Sequence, residues 1–197
     1  MKLLREYIRE LLTESVDPKI MSMIDTLESN GGHVEIRPDR VLIWEPTENN
    51  PQRWVAMVVY ETTVGAGAGG PCGGAGGVVQ SATAKTGMGP LAYDVAMEET
   101  GGLGLISDRD SVSPAARAVW DYYLNNRPDV EAEQLDDLNN TLTPDDKDNC
   151  SQRIASYTNQ PPMPKVVDFQ TSPLSKLYKK SGTPVMDELR KRGMLDA

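Results

Sequence analysis

The chain has 197 residues, 29 acidic and 20 basic, which leaves a formal net charge of −9. That acidity argues against a broad cationic face for nucleic acid, and no apolar run approaches the roughly 20 residues of a membrane span. Two cysteines, Cys72 and Cys150, and a single histidine make neither a disulfide framework nor a Cys/His metal site of ordinary spacing. Both cysteines read as free thiols of a reducing compartment, and the densely charged amino terminus does not read as a secretory signal.

Residues 1–14 place Leu3, Leu4, Tyr7, Ile8, Leu11 and Leu12 on a narrow apolar stripe among charges, the pattern of an amphipathic helix. A second helix is expected to follow Asp17-Pro18 and to run through Ile20, Met23, Ile24 and Leu27. Asp17 caps it, Pro18 opens it, and Asn30-Gly31-Gly32 ends it. The period then changes to two. Residues 33–37 and 40–45 alternate around the turn Pro38-Asp39, and residues 53–63 form the strongest strand in the chain, rich in Val, Trp and Tyr. These three read as an antiparallel meander.

Residues 65–77 hold eight glycines and one proline in 13 positions, so neither a helix nor an ordinary strand orders easily there. A short strand is predicted over 78–83, then the turn Ala84-Lys85-Thr86-Gly87-Met88-Gly89-Pro90. A helix over 90–100 follows, with Leu91, Ala92, Val95 and Ala96 inward and Glu98-Glu99 on a solvated face. Residues 103–107 read as a buried strand. Ser113-Pro114 opens a helix whose inner face is Ala116, Val119, Trp120, Tyr123 and Leu124. Strand, glycine turn, helix, strand, helix is a βαβα order, which predicts a partly parallel sheet.

Eight acids and one base fall between positions 129 and 148, a solvated surface or an attractor for a cationic amine. Residues 130–135 read as an edge strand, 139–164 as an irregular wrap, 165–170 as one more strand, and 184–195 as a short terminal helix. The expected division is a helical arm over 1–30, a mixed α/β domain over 31–138, and an irregular extension with a short helix over 139–197.

The turn at 83–90 carries the chemistry. A glycine turn that leaves a strand and opens a helix aims backbone N–H groups outward, where the helix dipole adds partial positive charge, a combination that favours phosphate. The lysine and hydroxyl pair of a P-loop does not follow the second glycine, and the third glycine of a dinucleotide fingerprint is absent.

The meander followed by this strand, turn, helix, strand and helix resembles the GCN5-related N-acetyltransferase (GNAT) superfamily. Residues 86–97, from Thr86-Gly87-Met88-Gly89-Pro90 through Met97, resemble its pyrophosphate loop and following helix. Leu105-Ile106-Ser107-Asp108-Arg109, with Ser113, Ala116 and Val119-Trp120 after it, is similar to the next strand and helix. The likeness covers residues 33–135. It implies a central mixed sheet flanked by helices, and acetyl-CoA as cofactor. Backbone N–H groups of Thr86, Gly87, Met88 and Gly89 would hold the pyrophosphate. Ser81 and Ala82 on the strand edge would bind the pantetheine, and a splay between that strand and residues 103–107 would admit the thioester to an amine substrate.

Many members protonate the leaving thiolate with a tyrosine of the last helix, and Trp120 stands at that place. Tyr122 and Asp108 are then the candidate catalytic residues. Tyr123 shares the buried face, and Asp108-Arg109 also fits a plain ion pair. His33 reads as a strand residue.

Residues 1–12 resemble the amphipathic leader on proteins of T-even-type tailed phages, and Leu12-Thr13-Glu14 fits the cleavage pattern of their maturation protease, with the cut before Ser15. The likeness implies a phage-associated protein of the host cytoplasm and the virion, partnered with head proteins through residues 1–14. A helix docking on the domain is the plainer reading. Two functions follow, an acetyl-CoA-dependent N-acetyltransferase or a virion-associated protein that keeps the fold without the chemistry.

Overall fold

A computed structural model describes residues 16–62, 76–109, 111–137, 139, 142, 150 and 169–196. The leader over 1–14, its cleavage pattern, and residues 65–75 of the glycine-rich stretch lie outside the described residues.

Helix α1 (Pro18–Ser29) begins as the sequence expects. The Asp17 carboxylate accepts the amides of Lys19 and Ile20 at 2.9 and 3.2 Å, and Pro18 needs no amide partner in the first turn. Ile20, Met23, Ile24 and Leu27 recur at helical spacing and are buried. The meander follows as β1 (His33–Arg37), β2 (Arg40–Trp44) and β3 (Trp54–Thr62), joined antiparallel to β4 (Gly77–Ala84). Then come α2 (Gly89–Glu99), β5 (Leu105–Ile106), α3 (Pro114–Asn126), β6 (Val130–Gln134), β7 (Lys176–Lys180), α4 (Pro184–Lys191) and β8 (Leu195–Asp196).

The eight strands form one curled mixed sheet in the order β6-β7-β5-β4-β3-β2-β1-β8. Only β4 with β5 and β1 with β8 run parallel. The predicted mixed α/β class, with its meander and βαβα unit, is present. The helices cover one face. Between them and the sheet lies a core drawn from nearly the whole described chain, from Ile20 of α1 to Met194 before β8. Among the described residues no helix is long and apolar enough to cross a membrane.

Several expectations need correction. The extension over 139–197 is not merely irregular, because residues 176–180 enter the sheet between β5 and β6, and residues 195–196 form its other edge. Three of the five residues of β7 are lysines, a composition that hides a strand. Their charges are met from other elements. Lys180 reaches Asp94 and Glu98 of α2, and Lys179 reaches Glu133 of β6. Of the strand expected at 165–170, the two described residues, Phe169 and Gln170, sit in a turn.

Helix α2 is not amphipathic. Residues 91–98 are all buried, because α1, α3, α4 and several strands surround it. Glu98 is therefore 2% exposed rather than solvated. The acidic run also turns partly inward. Asp129 pairs with Arg127, Asp136 pairs with Arg109, and Asp137 accepts the amide of Leu142. Cys150 is buried and disulfide-bonded, not the free thiol its sequence context suggests.

Candidate functional site

The site is built around β4. That strand pairs with β3 along its length, but the register slips. Val59 faces Ser81 while Tyr60 faces Val79, and Gln80 is left as the extra residue of a β-bulge. A bulge adds local twist and moves the following side chains to the other face. Val79 is thus buried under the helices, Gln80 and Ser81 are exposed, and Ala82 returns to pack against the core.

On its other side β4 meets β5 through only two pairs, Gly77 with Leu105 and Val78 with Ile106. β5 ends there, while β4 runs on to Ala84. A cleft of about 210 Å³ opens where the strands part. Residues 79–82 form one wall, and Asp108, residues 111–113, Ala116 and Trp120 form the other, with Tyr93 of α2 between them. A smaller hollow of about 80 Å³ shares Ala82, Tyr93, Ser113 and Ala116 with the cleft and extends past Ala84 to Gly89. The two adjoin through these shared residues, and together their linings reach from the parted strands to the amino end of α2.

That helix end is open. Met88 is the cap residue, no side chain caps the turn, no acid lies in the first turn, and Pro90 contributes no amide. Gly87 has φ +91°, a left-handed conformation that favours glycine, with open space where a side chain would begin. Gly89 is not so constrained, since a Cβ there would meet Val119 and Ala84 at ordinary contact distances of 3.5 and 3.8 Å.

Of the four loop residues expected to donate amides, Met88 is already engaged. Its N–H closes the turn on the Lys85 carbonyl at 3.0 Å, and its side chain is buried. Thr86, Gly87 and Gly89 are the remaining donors. Beside the loop the Lys85 ammonium lies 3.0 Å and the Arg53 guanidinium 3.7 Å from the Glu45 carboxylate. Two cations on one carboxylate leave a local excess of positive charge, which the overall acidity conceals.

The candidate catalytic residues separate. Asp108 lines the cleft and accepts the Ser111 amide at 3.2 Å. Tyr122 is not among the lining residues. Its hydroxyl donates to Asp17 at the start of α1, Lys19 lies over its ring, and burial together with Asp17 pushes its phenol up to about 12. Asp108 and Arg109 do not form the simple pair expected. Arg109 bonds Asp136 at 2.7 Å and the Leu174 carbonyl at 3.0 Å, and it also reaches the Cys150 carbonyl, so it ties β6, the approach to β7 and Cys150 together.

Trp120 is fully buried, edge-on to Tyr93 at 4.9 Å and stacked on Tyr178 at 5.1 Å. Tyr123 has the core role expected, with its hydroxyl 2.6 Å from Asp94. His33 sits on β1, stacked on Trp44 and 3.5 Å from Asp196.

Sequence reasoning misses Tyr93. It is 2% exposed, and its buried hydroxyl has no hydrogen-bond partner among the described residues. Burial pushes the phenol well above its ordinary value, so the group stays protonated and able to donate. Its position one turn into a helix read as hydrophobic carried no signal of this. Among the described residues no cluster of three or more His, Cys, Asp or Glu is placed to hold a metal ion. Compared with known proteins, the chain matches no family model, no curated protein and no solved structure.

Proposed function

We propose that the chain binds an acyl-CoA in the manner of the GNAT superfamily and acts as an acetyl-CoA-dependent N-acetyltransferase. The observation that carries this reading is the parting of β4 from β5 above a groove that ends at an uncapped helix amino terminus. The groove joins a slot suited to a thin, polar-and-apolar arm to a cradle suited to an anion. The strand order around it supports the same reading, with an antiparallel run β1 to β4, a parallel step to β5, and β7 inserted before β6.

On this reading the exposed edge of β4 at Ser81 and Ala82 binds the pantetheine. The amides of Thr86, Gly87 and Gly89 hold the pyrophosphate, and Lys85 and Arg53 add attraction for its charge. The bound cofactor would give its acetyl group to an amine: the amine nitrogen bonds the carbonyl carbon, the carbon–sulfur bond breaks, and CoA leaves as a thiolate that takes up a proton. Asp108, the ionisable candidate that lines the cleft, is placed to orient or deprotonate that amine.

Calorimetric titration with acetyl-CoA tests the reading. Saturable binding at micromolar concentration is expected, with a rise in melting temperature because the ligand binds only the folded chain. No binding up to millimolar ligand overturns it.

Trp120 and Tyr122 favour a second reading, a virion-associated protein that keeps the cofactor site without turnover. The indole cannot supply a proton at neutral pH, and the Tyr122 hydroxyl is committed to Asp17 outside the cleft. Acetyl-CoA binding with no transfer to a panel of amines supports this second reading, and measured transfer removes it.

A further inference from the structure

We infer that the Tyr93 hydroxyl is the hydrogen-bond donor that receives the acyl carbonyl of a bound thioester, and so lets the cleft distinguish an acylated cofactor from the free thiol. The inference rests on the acyl-CoA reading above.

Three observations meet at this residue. Tyr93 lines both hollows of the groove. Its hydroxyl is buried and has no hydrogen-bond partner among the described residues, although Tyr123 and Tyr178, also buried and nearby, both find acceptors. Its ring is fixed edge-on against Trp120, so the hydroxyl is held in place rather than free to swing out to water.

A buried hydroxyl without a partner lowers stability, since it has left water and gained nothing. Phenylalanine would fill the same space without that loss. A tyrosine at such a place makes physical sense when a ligand supplies the missing acceptor. Asp108, the one carboxylate among the described residues that line the cleft, already accepts the Ser111 amide. The neighbours shared by both hollows, Ala82, Ser113 and Ala116, are small, which leaves the approach to Tyr93 to the ligand. A thioester carbonyl has the required acceptor at the end of the pantetheine arm, and free CoA lacks it.

The test compares the wild-type chain with Tyr93→Phe, which keeps the ring contact with Trp120. Melting temperature is measured without ligand, and affinities for acetyl-CoA and CoA are measured by calorimetry. The variant is expected to melt higher than the wild type. Its acetyl-CoA affinity should fall about tenfold, the scale of one buried hydrogen bond, while its CoA affinity is unchanged.

A lower melting temperature, an unchanged acetyl-CoA affinity, or equal losses for both ligands overturns the assignment while leaving the acyl-CoA reading in place. A wild-type chain that binds neither ligand overturns the reading and the assignment together.

Discussion

The two ends of α2 are built on opposite principles. From its middle to its carboxyl end the buried carboxylates of α2, Asp94 and Glu98, are answered. Asp94, fully buried, takes a bidentate contact from Arg127 at 2.7 and 2.8 Å, a hydroxyl from Tyr123 and the ammonium of Lys180. Glu98 takes Lys180 at 2.6 Å and also accepts the amides of Val185 and Met186, so it caps α4 from a different helix. At the amino end no side chain caps the turn, and in mid-helix, on the side that faces the groove, the Tyr93 hydroxyl has no hydrogen-bond partner among the described residues. The same helix is anchored where it joins α4 and β7, and left polar and open where it faces the groove. Incomplete satisfaction within a rigid frame marks a place where something else completes the bonding.

The comparison is broken most severely at the anchored end. Lys180→Met leaves Asp94 and Glu98 buried with one cation fewer and should cost about 3–5 kcal/mol, read as a lower denaturant midpoint. An effect below about 1 kcal/mol would mean the carboxylates find water there, and the contrast between the two ends would collapse.

Acid tests the same cluster more gently. Burial pushes the Asp94 carboxyl up, but Lys180 and Arg127 outweigh it and hold the group below its ordinary value. Glu98, which shares the lysine, is instead held above its ordinary value, because burial dominates there. For the depressed group, the stabilisation is present in full above the unfolded value, about 3.9. It is lost as pH falls through the lower folded value. The stability advantage of the wild type over Asp94→Asn should therefore be constant near neutrality and shrink below about pH 4. An advantage that persists at pH 2 would show that Asp94 acts by packing rather than by charge.

The open end should respond weakly in stability and strongly in binding. Gly87→Ala forces a side chain into the left-handed region and should cost about 1 kcal/mol, with a loss of acetyl-CoA affinity as the loop shifts. Gly89→Ala meets only ordinary contacts, so its stability change should stay within about 0.5 kcal/mol. If the two variants melt alike, the left-handed turn is not what sets the loop.

Much of the frame was legible because its signals are local. Asp17-Pro18 and Ser113-Pro114 cap their helices within three residues, and the alternation of β1 to β3 follows from the pleat. The turn at Gly87 was legible for the same reason. What escaped reading depends on partners far along the chain. Lys180 and Asp94 are 86 positions apart, and neither a strand with three lysines nor a buried Glu98 makes sense without the other.

The Gln80 bulge was hidden because a one-residue slip leaves composition untouched, yet it shifts the register of β4 against β3. The pairing of Arg109 with Asp136 was hidden because the two are 27 positions apart. At the candidate site, Asp108 was found by its place at a strand end. Tyr122 was put forward for its chemistry, and the helical turn carries it away from the cleft.

The sheet ends on two unlike margins. On one side β6 carries Glu131 and Glu133 on exposed positions, and on the other β8 is two residues long. An incoming strand from another molecule would meet the carboxylates of Glu131 and Glu133 at the first. An eight-stranded ribbon with bare, apolar borders would invite end-to-end stacking into fibres. The acidic border at β6 should instead turn away an incoming strand at high concentration, even while the interior of the sheet stays rich in valine and isoleucine.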